Sequence, residues 1–100
     1  VTTARPSESF PGLPPLGAEF PGFEMDLWYA LFAPLGTPAD RVARMNQEVA
    51  QALVSADVRG AILKEGGEPK ASTPQDMAVL FRNDVAKYAR VVKAAGLQMD

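Results

Sequence analysis

The protein is 100 residues long, 47% hydrophobic and 22% charged, with 12 acidic against 10 basic residues. That is the composition of one small globular domain or part of a larger one, and it argues against a disordered chain and against nucleic-acid binding through a cationic surface. With no Cys and no His, the chain has no disulfide, thiolate zinc site or cysteine nucleophile, and lacks the commonest general base.

The chain opens Val1-Thr2-Thr3 without an initiator Met, a basic leader or a signal-like apolar core, which reads as processed or cut from something longer. From Arg5 to Glu24 it carries Pro6, Pro11, Pro14, Pro15 and Pro21 with Gly12, Gly17 and Gly22. Proline removes backbone donors and fixes φ, so neither a helix nor a central strand runs through this stretch. Its apolar residues Phe10, Leu13, Leu16, Phe20 and Phe23 argue against a free linker and for a segment laid on a surface. Residues 1–24 are therefore expected as an extended Pro/Gly-rich segment, and 25–100 as a strand with three helices.

Leu27-Trp28-Tyr29-Ala30-Leu31-Phe32-Ala33 reads as a strand ended by Pro34. It is aromatic and lacks polar alternation, so both its faces are expected to be covered. With Pro34 and Leu35 it forms the longest apolar run, nine residues, far short of the ~20 a membrane-spanning helix needs. Shorter extended pieces are expected at Val1–Ala4 and around Glu68–Ala71.

Thr37-Pro38-Ala39-Asp40 then supplies an N-cap hydroxyl, a proline at the first helical position and a first-turn acid. The spacing of Val42, Met45, Val49 and Leu53 predicts a helix to about Ser55. Ser55 or Asp57 caps a second, shorter helix that Gly66-Gly67 ends. Thr73-Pro74-Gln75-Asp76 repeats the first start signal, and the third helix runs from there to Gly96. The expected class is α/β with an incomplete sheet. Two short strand candidates are too few neighbours for a strand apolar on both faces. An unpaired buried backbone group costs on the order of 1–3 kcal/mol. Alone, such a piece is expected to pair with a second copy through strand edges, as a homodimer or by segment exchange, or to be marginally stable.

An ordered set of motifs carries a resemblance. It begins with Val1-Thr2-Thr3-Ala4-Arg5, Leu13-Pro14-Pro15-Leu16-Gly17 and Phe20-Pro21-Gly22-Phe23-Glu24. It continues through Trp28, Leu31, Ala33-Pro34-Leu35-Gly36-Thr37-Pro38, Arg41-Val42-Ala43-Arg44-Met45-Asn46 and Ala56-Asp57-Val58-Arg59. It closes with Gly66-Gly67-Glu68-Pro69, Thr73-Pro74 and Val91-Val92-Lys93-Ala94-Ala95-Gly96-Leu97. Together these resemble the later half of the Bug family, the extracytoplasmic solute receptors of tripartite tricarboxylate transporters. Pro15 stands where the family usually has Thr, and Ala18, followed by Glu19, where it usually has Glu. The resemblance implies a two-lobed receptor of the type II periplasmic binding-protein fold, exported to the periplasm, of which this chain is the C-terminal part, with residues 1–24 as a crossover segment between lobes and 25–100 in one lobe. It also implies the partners: a small carboxylate solute and the membrane permease subunits of the transporter. The residues that hold the ligand would lie mostly in the earlier part of such a receptor, so the chain alone is expected to bind none tightly.

Several local features have both a sharp and a plain reading. The helix starts at Thr37 and Thr73 present N–H groups to an anion, but Asp40 and Asp76 already occupy the first turns, and capping is the preferred reading. Phe20, Pro21, Gly22 and Phe23 form the best candidate for lining a ligand cleft, because Gly permits close backbone approach and the rings form an apolar wall. The competing reading is that the rings plug a core. Trp28 reads as a core anchor rather than a ligand platform, and Trp28→Ala is expected to cost about 3–5 kcal/mol if the ring is fully buried. Glu65 and Glu68, around Gly66-Gly67, read as a solvated turn rather than a metal or paired-acid site. Met25, Met45, Met77 and Met99 look like gap-fillers, and Lys64, Lys70, Lys87 and Lys93 show no pocket for Schiff-base chemistry. No enzyme, metal or cofactor is expected. The competing functional class is a helical protein–protein interaction module, which would need neither the apolar strand nor the proline segment.

Overall fold

In a computed structural model, described for residues 1–98, the chain contains a 3-10 turn at Leu16–Ala18 and three helices, α1 (Ala39–Val54), α2 (Ala56–Lys64) and α3 (Pro74–Ala94). Met99, grouped above with the gap-filling methionines, lies outside the described residues. Of the others, Met25 and Met45 are exposed and Met77 is half-buried.

The helix boundaries follow local chemistry, though not always by the expected atoms. At α3, the Thr73 hydroxyl accepts from the Asp76 N–H at 3.1 Å, and Pro74 occupies the first turn. At α1 the same letters behave differently. The Thr37 hydroxyl donates to the Pro34 carbonyl at 2.7 Å, closing the preceding turn, and no side chain caps the helix. Ser55 precedes α2, but its hydroxyl donates back to the Ala52 carbonyl at 2.7 Å. Both later helices end in the same way. Gly66 (φ +79°) and Gly96 (φ +64°) take the left-handed conformation. The next amides reach back to Ile62 and Val92 at 3.0 and 3.1 Å, so carbonyls that a helix end leaves unpaired are satisfied.

The expected sheet is absent among the described residues, which corrects the α/β reading to three helices without strands. Leu27–Ala33 forms no ladder: the described residues give its backbone no hydrogen-bonding neighbour. Nor is it covered on both faces. Leu27, Tyr29 and Leu31 are 84%, 90% and 76% exposed, while the intervening Trp28 and Ala30 are half-buried. Val1–Ala4 makes isolated bonds instead of a ladder, with the Val1 carbonyl accepting from Leu16 and the Thr2 carbonyl from Met25. Residues 68–71 are irregular. A ladder requires a second strand in register, and nothing described supplies one.

Packing explains the rest. No hydrophobic side chain is buried among the described residues. The Cα radius of gyration is 16.4 Å, against about 13 Å for a compact domain of this length. Accessible surface is 8604 Å², where a compact monomer of this size exposes about 5,500 Å². On α1, Val42, Val49 and Leu53 are half-buried and Met45 is 60% exposed, so the apolar stripe is present but thinly covered. Trp28, expected as a core anchor, is half-buried and rests on α3. Its ring meets Phe81 edge-on at 6.4 Å, and Phe32 meets the same ring at 5.8 Å.

Candidate cleft-lining loop

The proline segment is a series of tight turns. In Phe20-Pro21-Gly22-Phe23 the Phe23 amide donates to the Phe20 carbonyl at 3.0 Å, with Gly22 at φ +84°. Proline in the second position and a left-handed residue in the third are the requirements of a type II turn. Phe10-Pro11-Gly12-Leu13 does the same, with Gly12 at φ +88° and the Leu13 amide 3.3 Å from the Phe10 carbonyl. The repeated Phe-Pro-Gly triplet is the sequence signal for this pair of turns, and the reading above used only its second copy.

Between these turns the chain passes through the 3-10 turn at Leu16–Ala18, and the Phe20 amide returns to the Leu16 carbonyl at 2.9 Å. Val1 and Thr2 bridge the two arms of the loop. The Val1 nitrogen donates to the Pro14 carbonyl at 2.8 Å, the Leu16 amide donates to Val1 at 2.8 Å, and the Met25 amide to Thr2 at 2.9 Å. The arms approach so closely that a Cβ on Gly17 would stand 3.1 Å from the Phe23 carbonyl oxygen. A side chain there would need the Phe23 carbonyl to give by a few tenths of an ångström, and Gly22 is favoured by its left-handed conformation.

An open hollow of about 470 Å³ results, lined by Ala4, Pro15, Gly17, Ala18, Gly22, Phe23 and Glu24. Of the four candidate residues, Gly22 and Phe23 line it, while Phe20 and Pro21 form the other half of the turn. Phe20 and Phe23 are 59% and 41% exposed, so neither ring plugs a core within the described residues. Pro15 and Ala18, where the chain departs from the pattern it resembles, both stand in the wall. No basic side chain lines the hollow. Among the described residues the amides of Gly22 and Glu24 donate to no backbone carbonyl.

At the other end of the segment, Glu68 is more than a solvated acid. Its Oε1 accepts from the Ser7 hydroxyl at 2.5 Å and from the Glu8 amide at 3.1 Å. The Ser9 hydroxyl donates to the Gly67 carbonyl at 3.2 Å, and Ser7 is the single buried residue among those described. A pairing across 60 positions leaves no periodic trace, so sequence reasoning missed it. A second open hollow lies between the 26–28 segment and α3, lined by Asp26, Leu27, Trp28, Phe81, Asp84, Val85 and Tyr88. Among the described residues no group of three or more His, Cys, Asp or Glu side chains could hold a metal ion. No described helix is long and apolar enough to cross a membrane.

Comparison with known proteins bears on what such a loop serves. The family model described as "Tripartite tricarboxylate transporter family receptor" matches residues 1–97. The chain belongs to that family. It is a family of solute receptors rather than enzymes. Among its relatives, the UPF0065 protein in the clcB-clcD intergenic region of Pseudomonas knackmussii is 33% identical over 94 residues, covering 92% of this chain and 56% of that protein. A UPF0065 protein in the tcbD-tcbE intergenic region of a Pseudomonas species is 31% identical over 94 residues, covering 92% of this chain and 28% of that one. BugT of Bordetella pertussis is 28% identical over 100 residues, which make up 99% of this chain and 31% of BugT. The chain thus spans between about a quarter and just over half of these relatives' lengths. No solved structure matches it significantly.

Proposed function

We propose that this chain is the C-terminal part of an extracytoplasmic receptor. The receptor captures a small carboxylate-type solute in the periplasm and delivers it to the permease subunits of a tripartite tricarboxylate transporter. The family match across residues 1–97 carries this reading. The open architecture supports it, because helices with half-covered apolar stripes and an unpaired segment at Leu27–Ala33 are what one layer of a two-lobed α/β receptor would look like by itself. In that arrangement residues 1–24 cross between lobes, and residues 25–100 belong to one lobe.

The Phe20–Phe23 turn then faces the cleft between the lobes. Its apolar wall would exclude water, while the amides of Gly22 and Glu24 are donors a carboxylate accepts from without a basic side chain. Titration calorimetry on the complete polypeptide against succinate, malate and citrate tests the reading. Binding of at least one in the micromolar range is expected, and absence of heat with every one of them would contradict it.

A further inference from the structure

We infer that Glu68 is a latch: it fixes the base of the proline loop to the end of α2 and so positions the turn that carries Phe20–Phe23. Contacts from Ser7–Phe10 converge on α2, most of them at its exit. A single carboxylate oxygen takes both the Ser7 hydroxyl, at 2.5 Å, and the Glu8 amide, at 3.1 Å. The Ser7 oxygen in turn accepts from the Ser9 amide at 3.2 Å, so one side chain organises three consecutive residues. Ser9 adds its own bond to the Gly67 carbonyl. Arg59 of α2 reaches Glu8 at 2.9 Å, and the Phe10 ring lies over Gly66, 3.6 Å from where a Cβ would stand.

Both positions beneath this contact leave little room for a side chain, Gly66 by conformation and Gly67 by crowding. Gly66 has φ +79°, and a Cβ on Gly67 would press on Ile62 at 3.0 Å. The helix end is therefore shaped as a seat, and Glu68 follows directly after it. From the seat, turn hydrogen bonds run along the loop, Phe10 to Ser7 and Leu13 to Phe10, then, across a step that Val1 bridges between Pro14 and Leu16, Phe20 to Leu16 and Phe23 to Phe20. Position is passed along a chain of short turns with few free torsions, so release at Ser7–Ser9 loosens the far turn as well. The latch stands on this geometry alone; its consequence for solute capture rests on the receptor reading.

Hydrogen exchange on the complete polypeptide separates the two. Glu68→Ala should speed exchange of the Glu8 and Ser9 amides by about tenfold or more, with a smaller rise at Phe20 and Phe23 and none in α1 or α3. Glu68→Gln keeps an acceptor oxygen and should restore most of the protection, while Ser7→Ala should reproduce the loosening without touching α2. Unchanged Glu8 and Ser9 exchange in Glu68→Ala would overturn the latch. So would equal loosening of α1 and α3, or a Glu68→Gln variant as loose as Glu68→Ala. None of these readouts needs a solute, so a failed latch remains distinguishable from a failed receptor assignment.

Discussion

The Trp28 indole Nε1 donates to Asp84 Oδ2 at 2.6 Å, across 56 positions of sequence. This bond, with the edge-on contact between Trp28 and Phe81, holds the apolar segment Leu27–Ala33 against α3. A hydrogen bond to a carboxylate is worth more than a neutral one, but this pair is only part-buried, which brings its coupling down to about 1–2 kcal/mol. A double-mutant cycle of Trp28→Phe and Asp84→Ala on the complete polypeptide, read by denaturant midpoints, should return that coupling. Strict additivity would show the contact to be incidental.

Gly17 and Gly22 make separable demands on the proline loop. Gly22→Ala forces a side chain into positive φ and should cost about 1 kcal/mol. Gly17→Ala meets the Phe23 carbonyl at 3.1 Å, so the two arms of the loop must give by a few tenths of an ångström. Both variants of the complete polypeptide should keep their helical circular dichroism. Gly17→Ala should weaken carboxylate binding more than Gly22→Ala, as measured by calorimetry.

The two Thr-Pro-x-Asp starts should respond unequally to the same change. Thr73→Ala removes a true cap and should lower stability by about 1 kcal/mol. Thr37→Ala removes only a turn contact and should cost about 0.5 kcal/mol or less. Paired thermal melts of the two variants check the ordering.

These hundred residues expressed alone should be poorly stable and sticky. The surface exceeds that of a compact monomer by an area comparable to a large protein interface, and much of it is apolar at Leu27, Tyr29, Leu31 and Leu35. Sedimentation velocity should show association that grows with concentration. A sharp monomer boundary at all concentrations would count against the prediction.

The helices were legible because their signals are local. Thr73-Pro74, Gly66-Gly67 and Gly96 act on neighbouring backbone, and α2 and α3 stop where these residues direct. The same four-letter start misled at Thr37 about which atom does the capping, because Pro34 offers the hydroxyl a carbonyl one turn earlier. Leu27–Ala33 has the composition of a covered strand but neither pairing nor cover among the described residues, because strand character is completed by a partner. Composition records the tendency to pair, while the pairing itself lies in another part of a fold. The Phe20–Phe23 turn was half legible: Pro21-Gly22 gives the turn, but the closeness of Gly17 to Phe23 and the grip of Glu68 on Ser7 arise from contacts no spacing encodes.

Backbone protection at Leu27–Ala33 tests the central claim most directly. The claim is that this chain is one layer of a receptor whose remaining strands close the sheet. Hydrogen exchange should find these amides exchanging freely in the hundred-residue chain and strongly protected in the complete polypeptide, as in a paired central strand. Equal, rapid exchange in both would contradict the claim, because the segment would then be unpaired even when the rest of the receptor is present.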